Sequence, residues 1–149
     1  MVAEHHRFIA RAREGSVTLV RDFDGMYRAI DDPHGQRLSA ANLAHQSYGQ
    51  LLDGISAQCL RPSLGDAPLR YLDVGCGLGY VTKDITRLLL SRGAVEAHGI
   101  DVSATAVAKA AGDDDAAVTF QQASLLAPDS LVPLGRFHLV TCFETLYYF

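Results

Sequence analysis

Apolar positions in the C-terminal two thirds of the chain switch repeatedly between short runs and a helical period. Leu69-Arg-Tyr-Leu-Asp-Val74 is a short, apolar, partly β-branched run that reads as a strand, and it ends in the glycine cluster Gly75-Cys-Gly-Leu-Gly79. Val81, Ile85, Leu88 and Leu89 then share one helical face, with Gly93 placed where a C-terminal cap belongs. Ala94 to Ile100 predicts a second strand closing at Asp101, and Ser103 is positioned as N-cap of the alanine-rich helix Ala104 to Ala111. Val118 to Gln122 predicts a third strand, and Phe137 to Phe143, set off by Pro133 and Gly135, a fourth. Upstream, Ser39 is taken as the N-cap of an amphipathic helix whose apolar positions Ala44, Tyr48, Leu51, Leu52, Ile55 and Cys59 run up to a stop at Arg61-Pro62. Before it, residues 1 to 37 are polar and patternless, save an alternating stretch Val17 to Val20 and turn chemistry at Asp31 to Gly35.

Strands alternating with helices imply βαβ crossovers and a mostly parallel sheet: an α/β, Rossmann-like, three-layer α/β/α fold. The expected organisation is an N-terminal polar segment, residues 1–38, read either as a lid over the site or as a packing strap, followed by a Rossmann-like domain over 39–149.

At 149 residues with 48% hydrophobic and 20% charged content, the chain is long enough to bury a core. Its net charge of -4 supplies no field for gripping a phosphate backbone, so nucleic acid is not an expected partner. Three widely spaced cysteines, Cys59, Cys76 and Cys142, fit reduced thiols rather than a disulfide framework. No stretch approaches the ~20 apolar residues of a membrane span, which points to a cytoplasmic protein with no membrane partner. Oligomeric state is not encoded in any pattern here.

In a parallel sheet of this kind, ligands bind beyond the carboxyl ends of the strands. Gly75, Gly77 and Gly79 accept backbone angles closed to other residues and let a ligand approach the main chain, while free amides opening the next helix favour an anionic group. Asp101, at the end of the second strand, offers two carboxylate oxygens to a pair of ribose hydroxyls. Together they indicate an adenosine-containing cofactor, and Tyr80 stands where a dinucleotide fingerprint wants its third glycine. The histidines show no HxxxH or Cys/His grouping, and Asp113 to Asp115 are adjacent rather than spaced, so no metal site is expected. Tyr27, Tyr48, Tyr147 and Tyr148 divide between two readings, core packing and a substrate pocket.

Leu72-Asp-Val-Gly-Cys-Gly-Leu-Gly79 resembles the first motif of class I S-adenosylmethionine-dependent methyltransferases, and the spacing to Asp101 is similar too. Val118 to Leu125 and Phe137 to Tyr148 resemble that family's third- and fourth-strand motifs, so the resemblance runs in order from Arg70 to the C-terminus. Asp-Pro-His-Gly at 32–35 and the Glu-x-Leu-Tyr-Tyr ending are most similar to the nodulation-type small-molecule branch.

The resemblance implies S-adenosyl-L-methionine as cofactor and a small-molecule methyl acceptor. It places Asp73, Gly75, Cys76, Gly77 and Gly79 at the methionine end, Asp101 on the ribose, and Val102, Ser124 and Leu125 around the adenine. Phe143 and Glu144 fall near the methyl group, with Glu144 as general base, amine-orienting group or helix cap. Ser124 stands where the family more often has aspartate, and its hydroxyl can still donate or accept. The family's sheet continues past the fourth strand, so the chain is expected to be the cofactor-binding portion of a longer product. Two alternatives are a binding module without catalysis and, less favoured, a nicotinamide-dependent oxidoreductase.

Overall fold

The computed structural model describes residues 5–41, 47–112 and 117–148. The expectations attached to Ala44, to His45 among the histidines, to Asp113 to Asp115 and to the Tyr147 side chain lie outside the described residues.

Four parallel strands, β3 (Leu69–Val74), β4 (Val95–Asp101), β5 (Val118–Gln122) and β6 (Leu139–Thr141), form a sheet in the order β5-β4-β3-β6. Chain order moves outward from β3 through β4 to β5 and then returns to the other side of β3, so the reversal point lies between β3 and β6. Parallel strands covered on both faces read as apolar runs rather than alternations, which is why β3 is buried at five of its six positions. The fourth strand is shorter than the predicted Phe137 to Phe143, because only Leu139–Thr141 pairs with Tyr71–Asp73 before the chain turns away.

On one face, Leu69, Tyr71 and Ala97 pack against Ile85 and Leu89 of α6 (Tyr80–Leu90) and Leu52 of α4 (Ser47–Ile55). Ile85 and Leu89 are fully buried, and truncating either to alanine is expected to cost ~2–5 kcal/mol. On the other face, Leu72, Val74 and Ile100 meet Leu131 and Leu134, positioned by two short 3-10 turns, Pro128–Ser130 and Val132–Leu134, and Phe137 from the segment leading into β6. The helix α7 (Ala104–Ala111) begins as expected: the Ser103 hydroxyl accepts the Ala106 amide at 3.1 Å.

Several N-terminal expectations need correction. The patternless segment folds into α1 (His6–Ile9), an antiparallel hairpin of β1 (Ala10–Arg13) and β2 (Ser16–Leu19), and α2 (Phe23–Ala29). These elements escape pattern reading because the hairpin is solvent-exposed along nearly its whole length and α2 buries only Met26 and Tyr27. Ser39 is not an N-cap but lies inside α3 (Gln36–Ala41), whose start is capped by Asp32 accepting the amides of Gln36 at 2.9 Å and Arg37 at 3.1 Å. The boundary drawn between 38 and 39 therefore falls within a helix. Arg61-Pro62 does not stop the upstream helix either: a π-helical turn, Ser56–Leu60, leads into α5 (Arg61–Leu64), where Pro62 occupies a first-turn position that needs no N–H donor.

Candidate functional site

The carboxyl ends of β3, β4, β5 and β6 open onto one cavity of about 480 Å³. Its walls include Asp73, Gly75 and Cys76 after β3, Asp101 and Val102 after β4, Ser124 and Leu125 after β5, and Phe143 and Glu144 after β6. Nine of the eleven residues proposed from sequence thus come together, while Gly77 and Gly79 lie outside the lining.

The reason is visible in the turn itself. Gly77, at φ +53°, has no room for a side chain, since a Cβ there would stand 2.5 Å from Gln36 Nε2 and 2.6 Å from the Tyr27 hydroxyl. Its glycine serves the approach of the N-terminal segment, not of a ligand. At Gly75 the open side is filled by the Thr145 side chain. The amides of the turn itself, ahead of those that open α6, are engaged. Gly75 and Cys76 donate to the Ile100 carbonyl at 2.8 and 3.0 Å, Gly77 to Asp101 Oδ2 at 2.9 Å, Leu78 to Gln36 Oε1 at 2.8 Å and Gly79 to the Cys76 carbonyl at 2.9 Å. With every turn amide taken, this loop is not a phosphate cradle of the kind that depends on unpaired N–H groups.

Asp101 is 8% exposed and accepts two amides, from Gly77 on Oδ2 and from Ser103 on Oδ1, both at 2.9 Å. Burial raises its pKa above the usual carboxylate value, and these amide bonds oppose that rise. Each oxygen retains a second lone pair for a hydroxyl donor. Asp73 sits deeper: Oδ2 accepts the Thr82 hydroxyl at 2.5 Å, Oδ1 accepts the Thr141 hydroxyl at 2.7 Å, and Thr141 shares a further bond with the Tyr71 hydroxyl at 2.8 Å. Full desolvation pushes Asp73 up to about 6 despite the two hydroxyls, with the Asp101 charge adding to the rise. The Ser124 hydroxyl accepts the Leu126 amide at 3.2 Å, which fixes the loop after β5 and leaves its proton available to a ligand.

Sequence reasoning missed part of the remaining wall: Arg21, Phe23, His34 and Gln36 from the N-terminal segment line the cavity, beside Tyr27, Tyr48 and Tyr148, for which a pocket was one of two readings. Gln36 clamps the glycine turn with both ends of its amide, accepting from Leu78 and donating to the Cys76 carbonyl at 3.4 Å. Asp24 fixes the same segment to α7, accepting the Ser103 hydroxyl at 3.0 Å and the Thr105 amide at 2.9 Å. Nothing in spacing announces these contacts; the only sequence signal was the tyrosines. Burial lowers the pKa of His34 and keeps its ring neutral, with His5 adding to the effect and Glu144 and Asp32 opposing it. Among the described residues, no group of three or more His, Cys, Asp or Glu is arranged to hold a metal ion, and no helix is long and apolar enough to cross a membrane.

The sequence model of a family described as a methyltransferase domain matches residues 72–149. No curated protein matches the chain. Among solved structures, the magnesium protoporphyrin IX methyltransferase of Synechocystis PCC 6803 with bound SAM is 18% identical, with 83% of this chain and 63% of that one covered at a TM-score of 0.42. The CurJ carbon methyltransferase is 18% identical over 83% of this chain and 35% of its own, at a TM-score of 0.48. A putative O-methyltransferase from Klebsiella pneumoniae is 23% identical over 70% and 48%, at 0.40. The chain spans less than two thirds of the length of each of these proteins.

Proposed function

The chain belongs to the methyltransferase domain family, and from that premise we propose that it binds S-adenosyl-L-methionine in the cavity beyond β3, β4 and β5 and passes the methyl group to a small-molecule nucleophile. One observation carries this reading: the ends of these three strands bring Gly75-Cys76, Asp101-Val102 and Ser124-Leu125 to a single cavity. Its volume of about 480 Å³ is that of a small-ligand pocket. The donor set fits the cofactor. Asp101 has lone pairs for two ribose hydroxyls, the 47%-exposed Val102 and Leu125 give apolar faces for a purine, and the Ser124 hydroxyl can address its edge.

When bound, the cofactor supplies a methyl group activated by a positively charged sulfur. The remaining work belongs to the chain. Asp101, Val102, Ser124 and Leu125 hold and orient, while Phe143 and the rings of the N-terminal segment keep water from the reacting atoms. Glu144 and His34 are two groups in this wall, beyond the residues assigned to the cofactor, able to take a proton from an acceptor. Asp73 lines the same cavity with one hydroxyl on each oxygen and, like Asp101, keeps a lone pair on each for a donor at the methionine end of the cofactor. We take residues 1–38 as a cover over the site, a reading supported by the contacts of Tyr27 and Gln36 with the glycine turn, and a cytoplasmic enzyme as its setting. The comparisons lend nothing to the oxidoreductase alternative.

Calorimetric titration with S-adenosylmethionine, S-adenosylhomocysteine and NAD tests the proposal. Micromolar binding of the first two, weakened at least about 10-fold in Asp101→Asn by loss of a charge-assisted bond, is the expected result. Binding of NAD alone would overturn it.

A further inference from the structure

The acceptor end of the cavity has a composition that the cofactor reading leaves unused, and it centres on Glu144. This residue is held in the left-handed region at φ 50°, a conformation costly for a residue with a Cβ and one that concentrates at functional sites. Among the described residues no hydrogen bond or ion pair engages its carboxylate.

Two groups of rings share the cavity wall with that carboxylate. Tyr48 packs on Phe143 with centroids 5.0 Å apart, and the Glu144 charge is felt at Tyr48. On the other side, His34 lies 6.1 Å from Tyr27 and 6.4 Å from Tyr148, Tyr148 lies edge-on to Phe23 at 5.1 Å, and His34 too feels the Glu144 charge. All of these rings line the cavity. Among the described residues, the charged groups in its wall are Asp73, Asp101 and Glu144 against the guanidinium of Arg21. Ring faces carry partial negative charge and attract cations, most of all when a carboxylate lies beside them and water is displaced. An anionic acceptor would meet repulsion at the same place.

We propose that Glu144 and the surrounding rings of Tyr48, Phe143, Tyr148 and Phe23 form a site for an organic ammonium group, and that the methyl acceptor is accordingly an amine. This rests on the methyltransferase reading and deepens it by naming the acceptor class. His34 completes the site as a neutral ring facing Tyr27, Tyr148, His5, Asp32 and Glu144, placed to take the ammonium proton that must leave before the nitrogen lone pair can attack. In the transfer, the nitrogen–carbon bond forms as the carbon–sulfur bond breaks, and the sulfonium becomes a neutral thioether.

The test uses a pair of probes of nearly the same shape, choline and its uncharged isostere 3,3-dimethylbutan-1-ol, titrated into the full chain with and without S-adenosylhomocysteine and followed by amide NMR shifts. Choline is expected to bind at least about 5-fold more tightly than the isostere, with shifts at Phe143 and Glu144, and Glu144→Gln and Tyr48→Leu are each expected to reduce that preference at least about 3-fold. Equal binding of the two probes, or a preference untouched by both variants, would overturn the proposal.

A sulfonium is also a cation, so the affinities of S-adenosylmethionine and S-adenosylhomocysteine are compared in the same variants. A strong preference for the sulfonium form that vanishes in Glu144→Gln, together with no discrimination between choline and its isostere, would assign the ring site to the cofactor and refute the amine acceptor. Failure of both nucleosides to bind would strike the methyltransferase reading, while the choline comparison in the ligand-free chain would still be read on its own.

Discussion

Asp73→Asn isolates the energetic consequence of placing a carboxyl group inside the sheet. Asp73 is 4% exposed and receives hydroxyl bonds from Thr82 and Thr141. Burial lifts its pKa from 3.8 to about 6. A rise of about two units corresponds to ~3 kcal/mol, at ~1.4 kcal/mol per unit. Because the folded carboxyl keeps its proton to higher pH than the unfolded one, the native state binds more protons between about pH 4 and 6. Its stability contribution is full below the unfolded value and is lost as pH rises through the folded one. Asparagine cannot titrate, and its amide nitrogen turned toward Thr82 requires that hydroxyl to accept rather than donate, at a cost of ~1 kcal/mol. The variant should therefore be equal to or slightly less stable than the parent near pH 4, and ~1–2 kcal/mol more stable at pH 7. Urea unfolding followed by far-ultraviolet circular dichroism is the appropriate assay, since the chain has no tryptophan. Parallel stability profiles for parent and variant across this range would refute the reasoning.

Three further outcomes follow from the same geometry. Gly77→Ala forces a side chain into the left-handed region and against Gln36 and Tyr27, and is expected to lower unfolding stability by at least ~2 kcal/mol although Gly77 does not line the cavity. Gln36→Ala strips the Leu78 amide of its acceptor; hydrogen exchange at Leu78 should accelerate and stability fall by ~1–3 kcal/mol, whereas unchanged exchange would mean the clamp is idle. Asp24→Ala removes the acceptor shared by Ser103 and Thr105, so limited proteolysis should cut the segment before Gln36 faster than in the parent, with α7 and the sheet left intact.

The sheet and its order of elements were legible because β3, buried at five of its six positions, runs into the glycine cluster and Ser103 marks the start of the next helix, while β5, which has no buried position, was marked by its Val118-Thr-Phe120 run. Val118–Gln122 is found where the pattern placed it. The N-terminal third was not legible. Its hairpin is exposed on both faces, so no period-two burial marks it, and α2 is too short to display a helical period although its Met26 and Tyr27 pack against Leu78 and Ala106. The site divides along the same line. Residues at strand ends, Asp73, Asp101, Ser124 and Glu144, are fixed by the sheet, and position in the sheet can be read from pattern. Gln36, His34 and Phe23 reach the cavity through loop geometry over long sequence separation, which no local signal carries. The glycine turn shows a subtler limit: sequence correctly marks positions that need glycine but does not say whether ligand or protein fills the space, and at Gly77 it is protein.

The central claim is tested most directly by amide correlation spectra of the uniformly nitrogen-15-labelled chain with and without excess S-adenosylhomocysteine. Shifts at Gly75, Cys76, Asp101, Val102, Ser124 and Leu125, with the exposed strand Ser16–Leu19 unmoved, are the predicted result. A dispersed spectrum that S-adenosylhomocysteine leaves unchanged would contradict the account.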